Sequence, residues 1–79
     1  MKERQIRFIW DFFGADGLET AIHHAKHLTT FFTLNRVDFT NIGSEKEGEL
    51  KSIAFVVSSE KNVELIKKSL RPHRATIES

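Results

Sequence analysis

Along the 79-residue chain the spacing of hydrophobic positions changes period several times. In QIRFIWDFF (5–13), Ile6, Phe8, Trp10 and Phe12 alternate with Arg7, Ile9, Asp11 and Phe13 until Gly14 interrupts the run. A two-residue period built from aromatic and branched side chains predicts a strand. Both sets of positions are largely apolar, so the strand is expected in the middle of a sheet, covered on one side and partly covered on the other. After GADG the period lengthens. Leu18, Ala21, Ile22, Ala25, Leu28 and Phe32 follow the spacing of one buried helical face. Asp16, with Glu19 three residues on, is a capping-box-like start for this helix, which runs to about Phe32 and is closed by TLN.

The second half repeats the theme. RVDFTNIG (36–43) sets Val37 and Phe39 against Asp38 and Thr40, as a half-buried strand would. GSEKEG (43–48) is charged and bounded by glycines, which reads as a hairpin loop. ELKSIAFVVS (49–58) predicts the next strand, with Ile53, Phe55 and Val57 on one face and Ala54 and Val56 on the other. Ser59 can cap a second helix over about 60–71, carrying Val63, Ile66 and Leu70 on one stripe, and Pro72 stops it. HRATIE (73–78) alternates again as a short last strand.

The predicted order is therefore β-α-β-β-α-β over a single domain, 1–79. Right-handed crossovers turn that order into an α+β, ferredoxin-like split β-α-β fold: a four-stranded antiparallel sheet with two helices on one face. The other face stays open. If Trp10 and Phe12 point toward the helices, Ile9, Phe13, Val56 and Ile77 face outward as a partner surface; the opposite phase puts Phe8, Trp10 and Phe55 outside. A chain this short buries only about 60–65% of the surface its unfolded form exposes, so its core is thin and association with a second copy, a homodimer, is a natural remedy.

Composition narrows the function classes. Hydrophobic residues at 39% and charged residues at 29% make an ordinary globular mixture, too apolar for a disordered chain. A net charge of +1 gives little attraction for phosphates and argues against nucleic acid as a partner. The absence of cysteine removes disulfides, thiolate metal sites and cysteine nucleophiles. No apolar run is long enough for a signal peptide or a membrane span, so the expected location is cytoplasmic, with no membrane partner.

Three constellations could carry chemistry. AIHHAKH (21–27) places His23 and His27 four residues apart, the spacing of two zinc ligands on a helix. The glutamate of that arrangement is missing, Lys26 adds positive charge, and zinc wants three or four ligands, so a solvated helix face is the simpler reading and no cofactor is implied. The topology brings Asp11, Asp16, Arg71, His73 and Arg74 to one edge of the sheet, near the start of the first helix. There they could hold a small anion or support acid–base work, or act as an ion pair joining strand ends. KKSLRPHR (67–74) is basic, but Lys67 and Lys68 suit the end of a helix dipole without any ligand.

The RNA-recognition motif shares the element order. KSIAFVVS (51–58) is similar to its third strand at Lys51, Ala54, Phe55 and Val56, yet departs at Ser52, Ile53 and Ser58, where a glycine and a further stacking ring belong. No nucleophile elbow, phosphate loop or dinucleotide fingerprint occurs. Through IRFIWDFFGADG, AIHHAKHL and LRPHR the chain resembles small stand-alone bacterial ferredoxin-like proteins, a resemblance of pattern that implies the fold and no activity. Related folds include amino-acid-sensing regulatory domains, whose ligand loop has no counterpart here, and dimeric α+β barrels, whose apolar open face does. The expected function is a small non-catalytic interaction module that self-associates through its open sheet face or an edge strand. The alternatives are an anion or acid–base site at the Asp11/His73 edge and weak RNA binding.

Overall fold

The computed structural model describes residues 3–78. Strand β1 (Gln5–Phe13) is followed by helix α1 (Gly17–Leu34), strands β2 (Asn41–Gly48) and β3 (Lys51–Ser59), a 3-10 turn (60–62), helix α2 (Val63–Leu70) and strand β4 (Arg74–Glu78). The strands form one antiparallel sheet in the order β2-β3-β1-β4. The predicted element order is therefore observed, with β1 and β3 central.

The register settles the phase of β1. Phe8 lies opposite Val56 and Trp10 opposite Ala54, and these four share a core with Ala21, Leu28 and Phe32 of α1 and Ile66 of α2. Both helices therefore pack on one face. Trp10 is fixed further by its indole N–H, which donates to the Leu70 carbonyl at the end of α2 (2.8 Å). Val56 thus points into the helix-side core rather than outward. Ile77 pairs with Ile6 and lies on the helix side as well. The expectation that these two residues face away from the helices is corrected on both counts, because side chains directly opposite in a ladder share a face. Ile9, Ile53, Phe55 and Val57 form a second buried cluster on the reverse face.

The expected strand over 36–43 is also corrected. Asn35 ends α1, Arg36 takes a left-handed conformation (φ 53°), and the amides of Arg36 and Val37 donate to the carbonyls of Thr33 and Phe32. This is a Schellman ending, in which the apolar residue just past the helix packs back on its last turn. Val37 does so, and Phe39 then meets Phe32 edge-on at 5.6 Å between ring centres. The apolar alternation belongs to a helix stop. The edge strand β2 is instead the polar stretch taken for a hairpin loop, and the turn falls at Glu49–Leu50.

Two glycines tie the end of β1. Gly14 adopts φ 103° while its amide donates to the Leu50 carbonyl at 2.8 Å. A Cβ on Gly17 would come within 2.8 Å of the Phe12 carbonyl oxygen, so α1 can start this close to β1 only with glycine there. Asp16 stands at the N-cap position without a side-chain capping bond, so the capping-box expectation is not met. At the second helix the Ser59 hydroxyl does accept from the Lys61 amide (3.3 Å), capping the 3-10 turn before α2.

Candidate functional site

The sheet edge where β1 ends and β4 begins brings together Asp11, His73 and Arg74, as the topology requires. Arg74 donates from Nε and Nη2 to the two oxygens of Asp11 (3.1 and 2.9 Å). The Lys51 ammonium lies 3.5 Å from the same carboxylate. Glu47 in turn reaches Lys51 (3.2 Å) and Arg74 (3.6 Å), closing a four-membered ring of alternating charge that runs from β4 to β2. The hydrogen bonds from Arg74, with Lys51 adding to them, hold the Asp11 carboxyl below the usual carboxylate range against the opposing effect of burial, and they raise Arg74 correspondingly.

His73 has a different task. Its backbone N–H donates to Ile9, and its Nδ1 accepts the Asp11 backbone N–H at 2.8 Å. A nitrogen that accepts carries no proton, so Nδ1 has none to offer the Asp11 carboxylate, 3.9 Å away. The ring extends the β1–β4 ladder by one rung. A carboxylate held low in pKa and already paired is a weak base at neutral pH. The geometry here is that of a strand-end clamp. Asp16 and Arg71 are exposed and enter no ion pair among the described residues; Arg71 ends α2 in a left-handed conformation (φ 46°).

His23 and His27 lie exposed on α1, and among the described residues no group of three or more His, Cys, Asp or Glu side chains is placed to hold a metal ion. The informative histidine is His24, which the helical spacing places beside the buried stripe of α1 and which is half-buried there. Its ring packs against Trp10 and Phe12 (centroids 5.0 and 5.5 Å away), and its Nε2 is buried without a hydrogen-bond partner. Burial lowers its pKa, and the neighbouring His27 and His73 act in the same direction.

The reverse face of the sheet has an apolar floor and a charged surface. Ile9, Ile53, Phe55 and Val57 are only 2–5% exposed although no helix lies above them. Neighbouring side chains do the covering. The Arg7 guanidinium lies 4.1 Å from the centre of the Phe55 ring and 3.8 and 3.9 Å from Glu45 and Glu78, and the Asp11–Lys51–Glu47–Arg74 ring occupies the same face. The tip of the Phe55 ring lies against Gly43, where a Cβ would stand 3.3 Å from it. Phe55 therefore presents no open ring face to a nucleic-acid base. Of the residues expected to form an apolar partner surface here, Phe13 is exposed at the end of the strand and Ile9 is buried.

On the helix side, α2 is two turns long and covers β1 but not β4. The result is a mainly apolar groove of about 440 Å³ lined by Ile6, Phe8, Val63, Pro72, Ala75 and Ile77 together with the polar residues Lys67, His73, Arg74 and Thr76. All five residues of β4 are exposed, Ile77 at 60%. Sequence reasoning missed this groove because it arises from a short helix over a sheet edge, and no residue type marks that. Among the described residues no helix is long and apolar enough to cross a membrane. Comparisons with protein-family models, curated proteins and solved structures found no match to this chain.

Proposed function

We propose that the chain is a ferredoxin-like, non-catalytic interaction module that self-associates through the edge strand β4 rather than through its open sheet face. The observation that carries this reading is the state of β4: exposed along its whole length, unpaired on its outer side, and flanked by an apolar groove. A sheet edge in that state is a template for pairing with another chain. The open face offers less. Its apolar residues are already covered, and a partner there would have to displace Arg7 and the four-charge ring and desolvate them. The side chains gathered at the Asp11/His73 edge are committed to one another, which favours a structural task for them. Sedimentation velocity between about 5 and 500 µM tests the proposal, a range that brackets weak associations. The expected result is a concentration-dependent monomer–dimer equilibrium. A single monomeric species across the range sinks it.

A further inference from the structure

The composition of β4 deepens that reading, on which this inference rests, by fixing how two copies would meet. The strand reads Arg74-Ala75-Thr76-Ile77-Glu78. Read against itself in the opposite direction it is complementary: Arg74 faces Glu78, Ala75 faces Ile77, and Thr76 faces Thr76. The pairing of β4 with β1 puts Arg74, Thr76 and Glu78 on the open face, beside Ile9, Arg7 and Gln5, and puts Ala75 and Ile77 on the helix side. We propose that two copies join antiparallel, β4 to β4, about a two-fold axis through Thr76 and perpendicular to the sheet, making one eight-stranded sheet with all four helices on one side.

Each pair in that register has a physical reason. On the open face the Arg74 bonds to Asp11 use Nε and Nη2, so Nη1 remains to meet the partner's Glu78. On the helix side Ala75 is small and borders the groove, so the partner's Ile77, standing directly across at about 5 Å between Cβ atoms, has room there. An isoleucine that is 60% exposed in the single chain then packs beside Pro72 and Val63. Threonine facing threonine across the axis is a favourable strand pair. Other registers lose these matches. An axis through Ala75 or Ile77 leaves at least one of the two charges without its opposite, and a one-residue slip sets the charged face of one strand against the apolar face of the other.

The second edge of the sheet lacks these properties. β2 contains Gly43 and Gly48, shifts register between Lys46 and Gly48, and has Glu45, Lys46 and Glu47 in succession, features that blunt an edge against pairing. A symmetric partner is therefore directed to β4.

The chain contains no cysteine, so one introduced thiol reports the register directly. Opposed Cα atoms in an antiparallel pair lie about 4.5–5.5 Å apart, within disulfide range. Thr76→Cys under mild oxidation is expected to give mostly disulfide-linked dimer on a non-reducing gel. Glu78→Cys, whose two copies would be four residues out of register, and Glu64→Cys on the exposed side of α2 are expected to stay largely monomeric. Glu78→Arg places like charges together and is expected to weaken the dimer about tenfold in sedimentation. A dimer that Thr76→Cys does not trap and Glu78→Arg does not weaken overturns this register while leaving self-association standing. Equal cross-linking at all three cysteine positions overturns it too. Absence of any dimer overturns both.

Discussion

Arg7 offers the sharpest test of how this sheet survives with one face uncovered. Its guanidinium lies 4.1 Å above the Phe55 ring, while its two ion pairs are long, 3.8 and 3.9 Å, to glutamates with side chains 56% and 39% exposed. Pairs that exposed contribute about 0–1 kcal/mol. Covering the ring is worth more. A phenylalanine presents about 150–250 Å² in all, so shielding one ring face removes roughly 50 Å² from water. At about 25 cal/mol per Å² this is ~1.2 kcal/mol. The cation–π attraction adds about 0.5–1 kcal/mol. Arg7→Ala should therefore destabilise the fold by about 2 kcal/mol, a fall in Tm of about 8–16 °C for a domain of this size. Arg7→Met keeps an apolar stem over the ring and discards the charge, so it should lose less than about 1 kcal/mol. Thermal and urea unfolding followed by circular dichroism measure both, and dye binding to exposed apolar surface should rise for the alanine variant alone. If Arg7→Met proves as unstable as Arg7→Ala, or if 1 M salt erases the difference between wild type and Arg7→Ala, then charge rather than cover stabilises this face and the reasoning fails.

Two further expectations concern buried polar groups. Ser58 is fully buried; its hydroxyl donates to the Asp38 carbonyl at 2.6 Å and accepts from the Asn62 side chain at 2.9 Å. Ser58→Ala leaves both partners unsatisfied and should cost about 1–3 kcal/mol in urea unfolding, whereas a neutral result would show that water reaches the site. His24 titrates below its ordinary value near 6.5 because it is buried, so protons bind the unfolded chain more readily than the folded one. Its contribution to stability is complete above about pH 6.5 and declines as pH falls from there toward the folded-state value; His24→Leu should flatten that segment of the stability–pH curve. Asp11, lowered chiefly by Arg74, contributes above its ordinary 3.8 and is lost only in stronger acid, so Asp11→Asn should leave the segment near pH 6 unchanged.

Most of the architecture was legible because the buried elements advertise themselves. β1, α1 and β3 carry the apolar side chains that form both clusters, and their periods of two and of three to four follow from which neighbours they must touch. β2 was not legible. It touches the core through Ile42 and is held as a strand by the backbone of β3, so its own sequence looks like a loop. Val37 and Phe39 look like strand residues because a helix stop also demands apolar residues at alternate positions. The facing of Val56 failed for another reason: alternation says which residues share a face, but only the register against β1 says which face that is. At the Asp11 edge, topology alone predicted the meeting of Asp11, His73 and Arg74. It could not predict that a backbone amide would occupy His73 Nδ1, which decides what that histidine is able to do.

The two sides of the sheet show how a 79-residue chain handles more apolar surface than two short helices can cover. On the reverse face the remedy is internal. Long charged side chains lie across the apolar floor and pair among themselves, so a hydrophobic patch becomes a hydrophilic surface without any partner. On the helix side the same device is missing at β4, where α2 ends too early and the strand presents Ala75 and Ile77 beside an unfilled groove. The difference falls on one strand. Arg74 and Glu78 lie on the open face of the edge, while Ala75 and Ile77 alternate with them on the helix side, where the groove is also lined by Lys67. An edge protected on one face only is directional: a strand suited to it brings an apolar side chain to the helix side and opposite charges to the other. In the proposed register a second copy of β4 meets both demands.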